Sequence, residues 1–210
     1  MGSVHLIRHG QASWGADDYD QLSSLGMQQA TALGTSWEAS GWAPTAAVAG
    51  GMKRHAQTAI ATIDACGQGD GYDVDGGWDE FDHLAIAMAH DPAAMTTDPK
   101  EFQQLLNTAL DAWIAGDHDH EEPYPAFVDR VMASFAEVVA DAGSGRTVAV
   151  FTSGGPIAMV VSHLLAGDDS LFQRINDVVS NASVTTVSVG RSGPRLLTFN
   201  ESTHLPRDMI

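Results

Sequence analysis

A cation, an imidazole and a glycine follow one another directly after an apolar run near the start of the sequence. Residues 4–7 read VHLI and predict a buried strand, and Arg8, His9 and Gly10 come where that strand should stop. Ligands of α/β proteins usually bind at the carboxyl ends of strands. The segment therefore predicts a site for a negatively charged group, and phosphate suits it best.

Three further segments carry residue types that fit the same chemistry. Arg54 lies in KRHAQTA, Glu80 in WDEFDH, and Ser153 and Gly154 in VFTSGGPI. The paired glycines of the last segment lead into a helix, whose N-terminal amides and dipole favour an anion. Each segment alone is a weak signal, since an isolated arginine at the start of a helix is usually exposed.

A neutral imidazole can accept a phosphoryl group without a metal and so divide its transfer into two easier steps. His9 is the predicted nucleophile, and it must be unprotonated. Arg8 and Arg54 nearby would disfavour the imidazolium form, and their guanidinium groups would stabilise the charge on the transferred oxygens. We therefore predict that His9 is catalytic and that Arg8, Arg54, Ser153 and Gly154 bind phosphate.

The order of these segments resembles that of the histidine phosphatase superfamily, also called the phosphoglycerate-mutase-like family. The resemblance covers most of the chain and is weakest between about residues 90 and 142. It implies phosphoryl transfer, with the roles above at Arg8, His9 and Arg54. The similar segments are LIRHGQASW from Leu6, DYDQLSSLGMQQATALG from Asp18, KRHAQTA from Lys53, WDEFDH from Trp78 and VFTSGGPI from Val150.

Glu80 is the candidate general acid, because it lies where the family keeps its acidic residue. Breaking a phosphoester requires a proton for the departing oxygen, so the pKa of Glu80 would have to be raised in the pocket. Asp79 and Asp82 are neighbours that could substitute for it, and the alignment of so short a motif can slip by one residue. The remaining alternative is that the motif supplies no acid.

Ser153 departs from the family's usual pattern, which has a second histidine immediately before the paired glycines. The loss of a preorganised donor typically costs about 3 kcal/mol of transition-state stabilisation, part of which a serine hydroxyl could recover. One hypothesis is that His83, three residues after Glu80, supplies the missing donor from a helical turn. The alternative is a surface histidine at a helix start.

Other polar residues are weaker candidates. Gln11 and Ser13 follow the nucleophile and either contact the substrate or shape the turn. His118 and His120 lie in DHDHEE, but alternating acids and histidines are usual on a solvated surface, so we predict neither a metal site nor a cofactor.

The apolar pattern alternates strands and helices and predicts one α/β domain over residues 1–210. We expect a three-layer sandwich with a mostly parallel sheet and helices on both faces. Between about residues 84 and 142 two amphipathic helices follow each other, which predicts a helical insertion over the rim of the active site, with its aromatic residues in the core. Segment 67–77 is predicted to be a loop. The predicted strands are 4–8, 46–49, 147–152, 183–189 and 195–199, and the predicted helices are 24–40, 53–66, 100–115, 125–142, 156–165 and 170–175.

The composition limits the partners. The formal net charge is -17 with only ten lysines and arginines, so most of the surface would repel nucleic acid and anionic membranes. No apolar run reaches the length of a membrane span, and the single Cys66 cannot form an internal disulfide. We expect a cytoplasmic protein that binds a small phosphorylated substrate, and the sequence leaves its oligomeric state open.

Three functions fit these features. The first is a metal-independent phosphatase acting on a small phosphomonoester, and the second is a mutase that returns the phosphoryl group to another hydroxyl. The segment GADDYDQLS after Trp14 lacks the asparagine-rich extension of the family's glycolytic mutases, which disfavours the mutase. The third is a weakly active or noncatalytic phosphate-binding protein, which Ser153 supports.

Overall fold

A computed structural model describes residues 1–13, 20–69, 71–91, 99–143 and 145–210. Trp14, Asp18 and Tyr19 of the sequence motifs lie outside these ranges, as does most of the segment used above to disfavour the mutase. None of the helices within the described ranges is both long enough and apolar enough to cross a lipid bilayer.

The described residues form one six-stranded sheet in the order β3-β2-β4-β1-β5-β6. Three of the five strand pairings are parallel, while β5 is antiparallel to both of its neighbours. The prediction of a mostly parallel sheet is therefore confirmed. The strands are β1 Gly2–Arg8, β2 Ala46–Ala49, β3 Asp73–Val74, β4 Thr147–Thr152, β5 Val184–Gly190 and β6 Gly193–Glu201.

Helices cover both faces of this sheet because successive side chains of a strand point to opposite sides. In β1, Val4 and Leu6 pack in a large cluster with α5 and α6, whereas Ile7 packs in a second cluster with α1 and α2. The helices are α1 Ser24–Ser40, α2 Lys53–Ala65, α3 His83–His90, α4 Pro99–Ala115, α5 Tyr124–Asp141, α6 Gly154–Ala166 and α7 Phe172–Asn176, with 3-10 turns at Gly76–Trp78 and Arg207–Met209.

Two local features differ from the sequence prediction. The predicted loop 67–77 contains β3 and the start of a 3-10 turn; both residues of β3 are exposed, so no apolar alternation marked the strand, and its pairing with β2 defines it. The other difference is α3, where the sequence predicts no more than a helical turn. Its N-cap is Asp82, whose carboxylate accepts hydrogen bonds from the amides of Leu84 and Ala85.

An aromatic cluster joins α4, α5 and α7 to the segment that carries Glu80. The ring of Phe81 lies 5.3 Å from that of Trp113, 5.6 Å from that of Phe127 and 6.3 Å from that of Phe172, measured between centroids. All four side chains are buried. Trp113, Phe127 and Phe135 of the middle helices belong to the core as predicted, whereas the side chain of Phe102 lies outside what the structure describes. The cluster fixes the backbone next to the candidate general acid.

We predict that Phe127→Ala lowers the free energy of unfolding by about 3–5 kcal/mol, because it removes a wholly buried ring from this cluster. Urea denaturation of the two proteins measures the difference. Leu197→Ala is the matched control, since Leu197 is 63% exposed on β6 and its truncation should change stability by less than about 0.5 kcal/mol. Equal losses for both variants would contradict the assignment of Phe127 to the core.

Candidate active site

His9 stands directly after β1, and hydrogen bonds fix its backbone on both sides. Its amide donates to the carbonyl of Thr152 at the end of β4, with an N–O distance of 2.8 Å. Its carbonyl accepts from the amide of Ala182 at 3.1 Å and from Nδ2 of Asn181 at 3.2 Å. The ends of two adjacent parallel strands thus hold the predicted nucleophile in place.

One hydrogen bond determines the tautomer of the His9 ring. Its Nδ1 lies 2.7 Å from the carbonyl oxygen of Gly10. Because a carbonyl oxygen can only accept, Nδ1 must carry the hydrogen, and the neutral ring then has its lone pair on Nε2. The arrangement presents Nε2 as the nucleophilic atom.

The surroundings of His9 favour this neutral form. Burial lowers its pKa well below the ordinary value of 6.5, and the charges of Arg8 and Arg54 act in the same direction, as does His55 when it is protonated. The hydrogen bond with Gly10 opposes them but does not reverse the shift. The ring is therefore uncharged at neutral pH, as a nucleophile requires.

Arg8 and Arg54 reach the site from different elements. Arg8 ends β1 and donates from Nη1 to the carbonyl of Val179, while a Cβ built on Gly154 would lie 3.8 Å from its Cζ. Arg54 lies in the first turn of α2, is only 6% exposed and donates to the carboxylate of Asp20 at 2.8 Å. An exposed helix position is thereby excluded for Arg54.

Asp20 positions Arg54 with both of its carboxylate oxygens. One accepts from Arg54, and the other accepts from the amide of Lys53 at 2.9 Å. The second contact satisfies one of the amides at the start of α2, where the N-cap residue Met52 makes no side-chain hydrogen bond. Asp20 therefore fixes the helix end and the guanidinium together, a role that the sequence did not reveal.

Glu80 lies against the start of α6. One carboxylate oxygen accepts from the amide of Gly155 at 3.2 Å, and a Cβ on Gly155 would lie only 2.1 Å from the other, so this approach requires glycine. Burial raises the pKa of Glu80, while the Gly155 amide and the charges of Arg54 and Arg8 oppose the rise. A carboxyl group with a raised pKa suits a general acid.

The two neighbouring acids have other contacts. Asp82 caps α3, and Asp79 accepts from the amide of Gly51 at 2.6 Å and lies beside His55. Arg130 of α5 donates to the carbonyls of Gly77 and Asp79, which fixes the backbone before Glu80. Of the three acids, Glu80 is the one whose carboxylate contacts the N-terminal turn of α6.

Ser153 has no exposed surface, and its hydroxyl lies 2.7 Å from Nε2 of His55. It is the N-cap residue of α6 but makes no side-chain capping hydrogen bond. The His55 ring is also completely buried, and its centroid lies 5.8 Å from that of His9. The structure thus brings a second imidazole next to the nucleophile.

The remaining candidates lie around this centre. Half-buried His83 begins α3; burial lowers its pKa, and the charge of Arg54 acts in the same direction. Gln11 accepts from the hydroxyl of Ser23 through its side-chain oxygen, and the amide of Ser13 donates to the carbonyl of Gln21. These contacts of Gln11 and Ser13 shape the turn, and a contact with the substrate stays a prediction for all three residues.

His55 and Asp20 are the site residues that sequence reasoning missed. His55 follows Arg54 in the motif KRHAQTA, but nothing in the sequence indicates that it lies beside His9 or Ser153. A metal centre is not apparent: within the described ranges, no group of three or more histidine, cysteine or acidic residues could hold an ion.

Solved structures similar to this one include phosphatases and a mutase. A phosphoserine phosphatase mutant from Entamoeba histolytica, in complex with phosphoserine, has a TM-score of 0.71 at 17% identity, covering 98% of this chain and 100% of its own. Phosphoglycerate mutase from Bacillus anthracis has a TM-score of 0.69 at 19% identity, covering 97% and 94%. A mycobacterial glucosyl-3-phosphoglycerate phosphatase complexed with VO3 has 0.67 at 24%, covering 95% and 99%. At these identities the likeness establishes the fold.

The family itself is established by sequence. Residues 4–202 match the model of the histidine phosphatase superfamily (branch 1), so the chain belongs to that family. A comparison with curated proteins gives no match. The membership confirms the resemblance seen in the motifs and supports phosphoryl-transfer chemistry in general.

We predict that His9 stays neutral, with its proton on Nδ1, at pH 6.5, where an ordinary histidine is half protonated. The sign follows from its lowered pKa, since protonation should begin only well below that pH. Nitrogen NMR of labelled protein, with His9→Gln to assign the signals, measures the state of each ring nitrogen. A midpoint at or above pH 6.5, or a proton on Nε2 alone, would contradict the prediction.

Proposed function

We propose that the protein is a metal-independent phosphatase that hydrolyses a small phosphomonoester through a phosphohistidine on His9. The observation that carries the proposal is the hydrogen bond from Nδ1 of His9 to Gly10, which leaves the lone pair on Nε2 in a buried site under the influence of two arginines. Membership of the histidine phosphatase superfamily and phosphatase neighbours of the same fold support it.

In the first step Nε2 of His9 attacks phosphorus. The N–P bond forms while the P–O bond to the leaving group breaks, and the departing oxygen takes that electron pair. Protonated Glu80 gives its proton to this oxygen, so an alcohol leaves rather than an alkoxide. Arg8 and Arg54 stabilise the negative charge on the oxygens that are transferred.

In the second step water attacks the phosphohistidine. The Glu80 carboxylate takes a proton from the water as the O–P bond forms, and the electrons of the N–P bond return to Nε2. Inorganic phosphate leaves, and both residues regain their starting states. No metal or other cofactor enters either step.

The amide of Gly154 at the start of α6 is assigned to phosphate binding, because a helix N-terminus favours an anion. Ser153 adjoins the same turn, and its hydroxyl, held by His55, belongs to this group. His83, Gln11 and Ser13 are proposed as auxiliary or substrate contacts. We further propose that residues 1–210 form one cytoplasmic domain, in which α3 to α5 are an insertion bordering the site.

Phosphoryl transfer to a second hydroxyl and noncatalytic binding are the competing functions. Incubation with an aryl phosphate and, separately, with a phosphoglycerate, both in the presence of a chelator, separates them. A phosphatase releases inorganic phosphate, a mutase interconverts phosphoglycerates, and a binding protein does neither.

We predict that the protein forms an acid-labile phosphoenzyme and that His9→Ala abolishes it, lowering turnover about a thousand-fold or more, because the nucleophile is lost. Rapid quenching with a radiolabelled phosphomonoester, followed by acid treatment, measures the intermediate. His163→Ala, at the opposite end of α6, is the control and should keep wild-type labelling. Undiminished labelling of His9→Ala would reject the proposal.

We predict that Glu80→Gln slows hydrolysis according to the leaving group. An alkyl phosphate should lose at least about a hundred-fold in kcat, and p-nitrophenyl phosphate at most about ten-fold, because nitrophenolate departs without a proton. Asp82→Asn removes the negative charge but keeps a side-chain oxygen that can cap α3, so it should affect both substrates equally and only slightly. The same loss on both substrates with Glu80→Gln would remove it from the acid role.

A further inference from the structure

The pair formed by His55 and Ser153 is more than a packing contact. Serine at a helix N-cap ordinarily accepts a hydrogen bond from an amide of the first turn, but Ser153 makes no such bond. Its hydroxyl lies 2.7 Å from Nε2 of His55 instead, and neither residue has exposed surface. The hydroxyl is therefore hydrogen-bonded to the imidazole and does not cap the helix.

Asp79 stands on the opposite edge of the same ring. Its Oδ1 lies 3.6 Å from Nδ1 of His55, longer than a hydrogen bond but close enough for a strong electrostatic interaction. A Cβ on Gly50 would lie 2.2 Å from Nδ1 and 2.8 Å from Oδ1, so the missing side chain at Gly50 makes room for the pair. The partly exposed Asp79 carboxylate, the buried His55 imidazole and the buried Ser153 hydroxyl therefore lie in one row.

The charged groups that face His55 shift its pKa in opposite directions, and the net shift, with burial included, is downwards. Burial lowers the pKa of His55, and the charge of Arg54 acts in the same direction, while Asp79 and Asp20 raise it. His9, across from the ring, is neutral in the free protein. A dianion beside His9 would add negative charge next to this ring and tip the balance towards the imidazolium form.

We propose that His55 is a positioning residue that takes up a proton when a phosphate dianion binds at His9, and so supplies the positive charge that Ser153 cannot carry. This inference rests on the proposed phosphoryl transfer at His9. The sequence predicts that His83 replaces the missing second histidine. We assign that role to His55 of α2 instead.

The hydrogen bonds change in a defined way with that proton. With the neutral ring protonated on Nδ1 towards Asp79, Nε2 accepts from the Ser153 hydroxyl. The imidazolium instead donates from both nitrogens, so the Ser153 oxygen accepts and its own hydrogen becomes available to another acceptor. The direction in which the Ser153 hydroxyl donates at the start of α6 therefore depends on the charge of His55.

Calorimetric titration with sulfate, a dianion that does not itself titrate near neutrality, tests the inference. Measurement in two buffers of different ionisation enthalpy gives the number of protons taken up. Glu80 and His83 can also take up protons, so the difference between wild type and His55→Gln is decisive. We expect the wild type to take up more protons per site than His55→Gln, with a difference of up to one proton. Equal uptake by the two proteins would overturn the inference.

Turnover supplies a second readout. His55→Gln should lower kcat at least about ten-fold, and the reversed pair His55→Ser with Ser153→His should regain most of that loss by returning an imidazole to the site. His163→Gln, with its histidine at the far end of α6, should match wild type. A reversed pair no faster than His55→Ser alone would count against the inference.

A folding defect, a failure of the proposed function and a failure of the His55 role each give a different result. If His55→Gln does not fold, Ser153→Ala takes its place, because it deletes only the hydroxyl and should reduce proton uptake as well. Absence of a phosphoenzyme in the intact protein would refute the proposed function. Equal proton uptake with a normal phosphoenzyme would refute the role of His55 alone.

Discussion

The site depends on one constraint: an imidazole must stay uncharged while positive groups surround it. Burial and the two guanidinium groups lower the pKa of His9, and the carbonyl of Gly10 holds the proton on Nδ1. In the proposed function, the same charges that disfavour the imidazolium form also attract a phosphate group to the remaining nitrogen. The proposal thus makes nucleophile activation and substrate binding two consequences of one arrangement.

The fold meets this constraint because two strands end and two helices begin at the same place. β1 delivers Arg8 and His9, β4 delivers the carbonyl that receives the His9 amide, and α2 and α6 begin there. Glu80 arrives from a segment fixed by Arg130 on one side and by the aromatic cluster around Phe81 on the other. Residues distant in sequence thus meet because strand ends and helix starts share one edge of the sheet.

Much of this was predictable because it is local. Apolar Val4, Leu6 and Ile7 mark a buried strand, and the residue that follows such a strand must stand at the sheet's edge. β3 escaped prediction because its two exposed residues carry no pattern of burial and only pairing with β2 defines them. The role of His55 was not predictable for a different reason. Its contacts are with Ser153, nearly a hundred residues away in the sequence, and with Asp79, about two dozen residues away. No local periodicity encodes such long-range contacts.

A crystal structure of the protein soaked with orthovanadate tests the arrangement at His9 most directly, because vanadate adopts the geometry of a phosphoryl group in transfer. We expect vanadium bonded to Nε2 of His9, with the guanidinium groups of Arg8 and Arg54 on its equatorial oxygens and Glu80 beside an apical one. Vanadate bound away from His9, or a His9 ring turned so that Nδ1 faces vanadium, would contradict it.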